Sequence, residues 1–203
     1  MIQSSSEGHA KAYFSDALSK SDYYVDKQEL EGRFQGRLCG RLGLGMDVTK
    51  EAFFALCENR DPNTGGKITP RTQEGRRVGY DINFHAPKSV SILHALAKDN
   101  HIADAFQASV GDVMELMELD CQTRVRKDGA FENRKTHELL WAEFMHQTAR
   151  PVEGHVPDPH LHMHCFVFNM TWDDVEKRMK AGDFAEIKKS MPYYQALFHK
   201  TFS

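Results

Sequence analysis

The sequence lacks several features that would place the chain outside the ordinary globular proteins. Its longest apolar run is far shorter than a membrane span, and no charged-then-apolar leader stands at the N-terminus. We therefore expect neither membrane insertion nor secretion. The four cysteines are scattered without a CxxC pair, which argues against a disulfide framework or a cysteine zinc site and favours a reducing cytoplasm. The 203 residues, 40% hydrophobic and 27% charged, fit one soluble globular domain with a proper core.

An excess of positive charge is also lacking. The formal net charge is −3, which taken alone argues weakly against a nucleic-acid partner. The basic residues are nevertheless concentrated in three segments, GRFQGRLCGR, RTQEGRR and RVRKDGAFENRK. A local basic face is therefore compatible with the composition, although runs of this kind are more often solvated surface.

Histidine is abundant: six of the eleven histidines fall between His137 and His164. In PDPHLHMHCFVFNM, His160, His162 and His164 occupy every second position of an apolar stretch, and on a strand such residues project from one face. The apolar run LLWAEFMH ends at His146, and two neighbouring strands of this kind usually pair antiparallel when their connection is short. Three converging neutral imidazoles would suit zinc, copper, iron or nickel. The spacing alone leaves satisfied core histidines as an open alternative.

Hydrophobic periodicity predicts a mixture of helices and strands. RRVGYDINFHAP alternates as a half-buried strand does, whereas GRLCGRLGLG is rich in glycine and is predicted as a turn. Helices are predicted for SEGHAKAYFSDALS, DVTKEAFFALCENR, KSVSILHALAKDN, HIADAFQASVGDVMELMELDCQTRVR and DFAEIKKSMPYYQALFHKTF. Asp81 is unusual as a charged residue in the middle of a strand. It is a candidate general base, an orienting group for a metal-bound histidine, or half of an ion pair with Arg77.

Three segments in this order carry a family resemblance: RVGYDINFHAPKSVS, HQTARP and DPHLHMHCFVFNMT, after an N-terminal AYF…DYY. Together they resemble the relaxase domain of conjugative plasmid transfer proteins, the TrwC/TraI-like (MobF) branch of the HUH endonucleases, over the chain from about Gly8 onward. The resemblance implies an α/β (α+β) fold in which helices pack on a central antiparallel sheet. It also implies a bacterial cytoplasmic enzyme that nicks single-stranded DNA at a transfer origin through a covalent 5′-phosphotyrosyl intermediate.

The resemblance assigns a role to each candidate residue. His146, His162 and His164 would hold one divalent metal ion (Mg, Mn, Zn or Ni), with His160 outside the triad. Tyr13 would be the first catalytic tyrosine, and either Tyr23 or Tyr24 the second. Asp81 would be the acidic residue beside the nucleophile. We further predict DNA contacts from three basic residues, Arg76, Arg77 and Lys88. Relaxosome accessory proteins and a secretion-system coupling protein are the expected partners.

Two departures from the family pattern accompany the resemblance. Only MIQSSSE precedes the tyrosine helix, so the first strand is expected to be short. Residues 1–203 are expected to form a single relaxase domain that is truncated at its C-terminus. Three other functions remain alternatives: a rolling-circle replication initiator, a three-histidine small-molecule metalloenzyme, and a DNA-binding module without catalysis.

Overall fold

The computed structural model describes residues 2–15, 32–70, 75–97, 100–127, 129–150, 152 and 155–202. Its centre is a five-stranded antiparallel sheet of β1 (Ile2–Ser5), β2 (Arg33–Gln35), β3 (Gly79–His85), β6 (Trp141–Thr148) and β7 (Pro159–Phe168), in the spatial order β1-β3-β7-β6-β2. The remaining strands are β4 (Gln122–Lys127), β5 (Ala130–Lys135), β8 (Thr171–Asp173), β9 (Arg178–Lys180) and β10 (Gly182–Asp183). They form a three-stranded sheet, β10-β4-β5, and a hairpin, β8-β9.

Helices cover both faces of the central sheet. They are α1 (Glu7–Tyr13), α2 (Arg37–Arg41), α3 (Lys50–Cys57), α4 (Lys88–Leu96), α5 (His101–Leu119), α6 (Ala185–Lys189) and α7 (Met191–Phe202). On one face α5 and α7 pack against apolar side chains of β3 and β7, while α1 and α3 pack on the opposite face. The predicted fold class, a mixed α/β structure with helices on an antiparallel sheet, is therefore confirmed.

Strand β7 runs through the middle of the sheet and changes character along its length. Because successive side chains alternate between faces, His162, His164, Phe166 and Phe168 all project from the face covered by α1 and α3. Phe166 and Phe168 are fully buried beneath Phe53 of α3, whereas the two histidines are partly exposed. Among the described residues, α1 and α3 thus cover the phenylalanine half of this face, while His162 and His164 beyond them are partly exposed.

Several predicted elements are confirmed. The alternating segment is β3, the following segment is helix α4, and the two histidine-bearing strands pair antiparallel with His146 opposite His162. The short first strand is present as β1, which pairs with β3. No helix among the described residues combines the length and the apolar character needed to cross a bilayer.

Three predicted elements were wrong in part. The long amphipathic helix ends at Leu119, and the following residues form β4, in which buried Thr123 and Val125 alternate with exposed Arg124 and Arg126. Alternation of buried and exposed residues at every second position is typical of a strand. The exposed positions here are arginines, which are equally common on helix surfaces, so the sequence pattern did not distinguish the two. The C-terminal helix is divided into α6 and α7.

The glycine-rich segment GRLCGRLGLG, predicted as a turn, begins directly after β2 and forms the short helix α2 before the chain turns at Leu42 and Gly43. Gly36 separates the two elements with φ at 96°, a backbone conformation that suits glycine. Its Cα packs closely against the carbonyl oxygen of Leu139, so a larger residue would collide with backbone.

Gly79, at the start of β3, provides a test of the packing under the sheet. A Cβ at this position would lie 2.5 Å from the carbonyl oxygen of Val167 and 2.6 Å from the Phe166 ring. We expect Gly79→Ala to destabilise the protein by about 1–3 kcal/mol, measured by urea unfolding. Gly111→Ala in α5 is the matched control: nothing lies within 4 Å of its added Cβ, and we expect a gain of about 0.5–1 kcal/mol. Equal or higher stability of Gly79→Ala would contradict this packing.

Candidate active site

The register of three neighbouring strands places the predicted site residues on one face. His146 of β6 lies opposite His162 of β7, and Asn83 of β3 lies opposite His164. Residues opposite each other in an antiparallel pair project to the same side, and so do residues two apart on one strand. Asp81, two residues before Asn83, therefore shares this face with all three histidines.

The rings of His146, His162 and His164 converge. Their centres are 5.1 Å apart between His146 and His162, 5.5 Å between His146 and His164, and 5.2 Å between His162 and His164. Three imidazoles that bind one tetrahedral ion at about 2.0–2.1 Å would have ring centres about 5.2 Å apart. The distances between the ring centres alone are therefore compatible with one shared ion. In the parts of the chain that the structure describes, however, no group of three His, Cys, Asp or Glu side chains is arranged so that it could hold a metal ion.

Hydrogen bonds at Nδ1 fix the orientation of the His162 and His164 rings and leave Nε2 of each available as a metal ligand. The Nδ1 atom of His162 lies 2.8 Å from the carbonyl oxygen of His160, so Nδ1–H donates and the lone pair is on Nε2. The Nδ1 atom of His164 faces Asp81 Oδ2 at 3.2 Å and the Tyr13 hydroxyl at 2.6 Å, which likewise assigns its lone pair to Nε2. A carboxylate or backbone carbonyl behind a histidine is the usual support of a metal ligand.

Tyr13 is the last residue of α1, and its hydroxyl reaches into this face of the sheet. The hydroxyl donates to Asp81 Oδ2 at 2.8 Å and accepts from His164 Nδ1. The next residue, Phe14, anchors the end of the helix, because its ring packs on Phe53 at 4.6 Å and edge-on against Phe144 at 5.8 Å. The Tyr13 hydroxyl is thus held beside the histidines by aromatic packing from the residue that follows it.

Burial and the neighbouring carboxylate keep the Tyr13 phenol neutral. Burial raises its pKa well above the ordinary value, the negative charge of Asp81 and the hydrogen bond to it raise it further, and the charge of Arg150 lowers it. Any chemistry of Tyr13 as an anion therefore needs a proton acceptor or an additional positive charge nearby.

Asp81 is buried, with 7% of its surface exposed. It contacts Tyr13 and His164, which fits the roles of proton acceptor and of orienting group for a histidine. The alternative ion pair with Arg77 is not formed among the described residues. The guanidinium of Arg77 donates to the Tyr80 hydroxyl at 3.1 Å and lies over the Tyr80 ring.

The three basic residues predicted to contact DNA have different surroundings. Arg76 donates to the carbonyl oxygen of Cys57 at 2.6 Å and therefore satisfies the C-terminal end of α3. Lys88 donates to the Pro159 carbonyl at 3.0 Å and pairs with Asp158 at 3.2 Å, at the start of β7 beside His160. Of the three, only Lys88 lies next to the histidine cluster. Arg77 contacts Tyr80, and Arg76 binds a carbonyl oxygen at the end of α3.

Sequence reasoning missed His85, Asn83 and Arg150. His85 Nδ1 lies 3.1 Å from His160 Nε2, and burial lowers the pKa of both imidazoles. The alternation that singled out Asp81 extends to Asn83 and His85, so the strand pattern already contained this signal. The second-tyrosine candidates, Tyr23 and Tyr24, lie outside the described residues.

Comparisons with known proteins identify the relatives of this chain. Residues 7–203 match the family model described as TrwC relaxase. The chain is 36% identical over 186 residues to the multifunctional conjugation protein TraI of Escherichia coli K12, covering 90% of this chain and 10% of TraI. A solved structure of conjugative relaxase TrwC with oriT DNA, metal-bound, has a TM-score of 0.80 and 28% identity over 100% of this chain and 68% of that one. A copper-bound TrwC complex with oriT DNA has a TM-score of 0.81 and 27% identity, with the same coverage.

The charge state of the histidines generates a prediction for stability. Burial, reinforced by the neighbouring imidazoles, lowers the pKa of His162 to about 3. The unfolded chain, with a histidine pKa of about 6.5, therefore binds more protons than the folded one between these values, and stability falls as the pH drops through this window. With chelator present, we expect a loss of about 1–2 kcal/mol from His162 between pH 7 and pH 5. The measurement is urea unfolding at both pH values.

The matched variants are His162→Gln and His137→Asn. The first should lose less stability between pH 7 and pH 5 than the parent protein. The second changes an exposed histidine whose φ of 57° asparagine tolerates, so its pH dependence should match the parent. An identical pH dependence of His162→Gln and the parent would show that the folded protein does not lower the pKa of the His162 imidazole.

Proposed function

Because the chain belongs to the TrwC relaxase family, as its sequence motifs indicated, we propose that it nicks single-stranded DNA at a plasmid transfer origin and initiates conjugative transfer. The chain spans about a tenth of the length of the curated TraI relatives it matches. The observation that carries the proposal is the Tyr13 hydroxyl, held between Asp81 and His164 at the edge of the histidine cluster. The described residues would act as one relaxase unit in the bacterial cytoplasm.

In the proposed reaction, Tyr13 is the nucleophile. Its phenolic oxygen attacks the scissile phosphorus, its proton passes to Asp81 Oδ2, and the bond from phosphorus to the 3′ oxygen breaks. The 3′ oxygen leaves and takes up a proton, and the 5′ phosphate stays linked to Tyr13. A tyrosyl phosphodiester retains much of the free energy of the broken bond, so the step can reverse and rejoin the strand. A water nucleophile would release that free energy, which favours tyrosine for an enzyme that must rejoin DNA.

Asp81 lies where it can accept the proton that Tyr13 must lose despite its raised pKa. Free tyrosine has a pKa of about 10, and the buried carboxylate raises it in the resting site. The same carboxylate is 2.8 Å from the hydroxyl, close enough to accept the proton as the bond to phosphorus forms. Asp81 therefore keeps the phenol neutral at rest and receives its proton during attack.

His146, His162 and His164 would hold one divalent metal ion through their Nε2 atoms. When bound, such an ion acts as a Lewis acid on a phosphate oxygen and neutralises the charge that develops there. An all-imidazole ligand set favours zinc, nickel, copper or iron over magnesium and manganese, which prefer oxygen ligands. The metal-bound and copper-bound complexes of TrwC support a metal in this role.

The DNA would cross the open, histidine-bearing half of the sheet. Lys88 lies at one edge of this half, and the exposed Arg150 lies close enough to Tyr13 for its charge to act on the phenol. Arg76 and Arg77 would contribute to the positive electrostatic potential that attracts the DNA backbone. The second strand-transfer tyrosine would be Tyr23 or Tyr24. The oriT DNA in the TrwC structures supports DNA as the partner, and accessory relaxosome proteins and a coupling protein remain part of the proposal.

The nucleophile is tested with Tyr13→Phe. We expect this variant to lose covalent capture of an origin-type single-stranded oligonucleotide by roughly a thousandfold or more, read as a protein–DNA adduct on a denaturing gel. Tyr193→Phe is the matched control, since this tyrosine is 60% exposed on α7 and should leave capture unchanged. Capture that persists in Tyr13→Phe and disappears only in Tyr23→Phe or Tyr24→Phe would reassign the nucleophile.

The metal requirement is tested by chelation and by His146→Gln. Dialysis against EDTA should abolish adduct formation, and Mn²⁺ or Zn²⁺ should restore it in the parent protein. His146→Gln should weaken metal binding by at least about 100-fold, the upper end of the effect of removing an outer-shell partner, and lower adduct formation with it. His137→Asn serves as the control histidine. Full activity in EDTA together with full activity of His146→Gln would exclude the triad from the reaction.

A further inference from the structure

Two histidines at the edge of the triad form a pair of their own. His85 ends β3, and His160 is the second residue of β7. His85 Nδ1 and His160 Nε2 are 3.1 Å apart, and the rings are nearly parallel, with an interplanar angle of 8° and centres 5.1 Å apart. We infer that His85 and His160 form a second binding site for one divalent transition-metal ion, separate from the triad.

The separation of the two nitrogens fits two ligands of one ion. Imidazole nitrogens bind zinc at about 2.0–2.1 Å, so two neighbouring ligands around one ion are separated by about 2.9–3.4 Å for angles between octahedral and tetrahedral values. The observed 3.1 Å lies within this range, so the two nitrogens are already at the separation that one ion requires, and rotation of the rings would direct their lone pairs to it. The chemical class of the ion follows from the ligands: imidazole suits Zn²⁺, Ni²⁺, Co²⁺ or Cu²⁺, whereas Mg²⁺ and Ca²⁺ select oxygen.

The hydrogen bond between the rings can be exchanged for a metal ion without any net release of protons. A neutral imidazole carries one N–H, so one ring now donates a proton to the lone pair of the other. Binding of an ion requires lone pairs on both facing nitrogens, and the donating ring meets this requirement by moving its proton to its other nitrogen. The pair is therefore able to bind metal at neutral pH in its uncharged form.

The surroundings of the pair leave room for further ligands. His85 is exposed and His160 partly exposed, so water or an anionic oxygen can fill the remaining coordination positions. Lys88 lies at this edge, and its charge is partly offset by Asp158 at 3.2 Å. The His160 ring also stacks on His162 with 4.4 Å between centres, which places the second ion next to the triad.

This inference goes beyond the proposed function, and metal stoichiometry tests it without reference to nicking. Equilibrium dialysis of the full chain against Zn²⁺, with zinc measured by mass spectrometry, should give two equivalents for the parent protein. His85→Ser and His160→Gln should each lose one equivalent, and both change side chains that are not buried, so circular dichroism should show unchanged folding. His137→Asn, an exposed histidine bonded to the Leu119 carbonyl, should retain both equivalents.

A triad variant separates this inference from the proposed function. His146→Gln should keep the equivalent that belongs to the pair, and the double variant His146→Gln/His160→Gln should lose it. Retention of the pair's equivalent in His146→Gln and its loss in the double variant would support the site even if the triad proved not to bind metal. Zinc stoichiometry that is the same in the parent, His85→Ser and His160→Gln would overturn the inference.

Discussion

The site depends on the register with which β3 and β6 pair on either side of β7. His146 opposite His162 and Asn83 opposite His164 bring imidazoles and a carboxylate from three strands to one face. Side chains on a strand alternate between the two faces of the sheet. A shift of one residue in either pairing would therefore move the site residues of the shifted strand to the opposite face. The buried phenylalanines of the same face oppose such a shift, because they would lose their packing against Phe53 and enter the opposite face, which α5 and α7 already cover.

The same arrangement creates an electrostatic conflict that bears on function. Asp81 stabilises the protonated form of Tyr13, while a nucleophilic role requires the proton to leave. The conflict is resolved when an additional positive charge is present, whether from the proposed metal ion, from Arg150 or from both. Without sufficient positive charge the phenol stays protonated and would be a poor nucleophile in the proposed reaction.

Much of this arrangement could be predicted from the sequence. The alternating histidines before a buried apolar run predicted β7, and the run ending at His146 predicted its partner strand, because period-two patterns are local and strong. Asp81 was identified for the same reason. The contact between Tyr13 and Asp81 joins residues 68 positions apart, and only the family resemblance linked them before the structure did.

Other features could not be predicted, for physical reasons. The strand β4 was hidden because its exposed positions are arginines, which also occur on helix surfaces. The helix α2 follows a glycine whose role depends on the close approach of Leu139, about 100 residues further along the chain. The partnership of His85 with His160 likewise depends on register across β3 and β7. Local patterns predict elements, whereas the pairing of distant elements decides which side chains meet.

The irregular pairing between His146 and Thr148 carries a consequence for how sequences of this kind can diverge. The register of β6 and β7 changes just beyond His146, at the end nearest the connection to Pro159. Residues can therefore be inserted or deleted between Thr148 and Pro159 while the imidazoles keep their positions. Within HLHMH no such freedom exists, since one residue more or fewer would move an imidazole to the opposite, core-facing side of β7. Between these two strands, we expect related chains to differ in length in that connection.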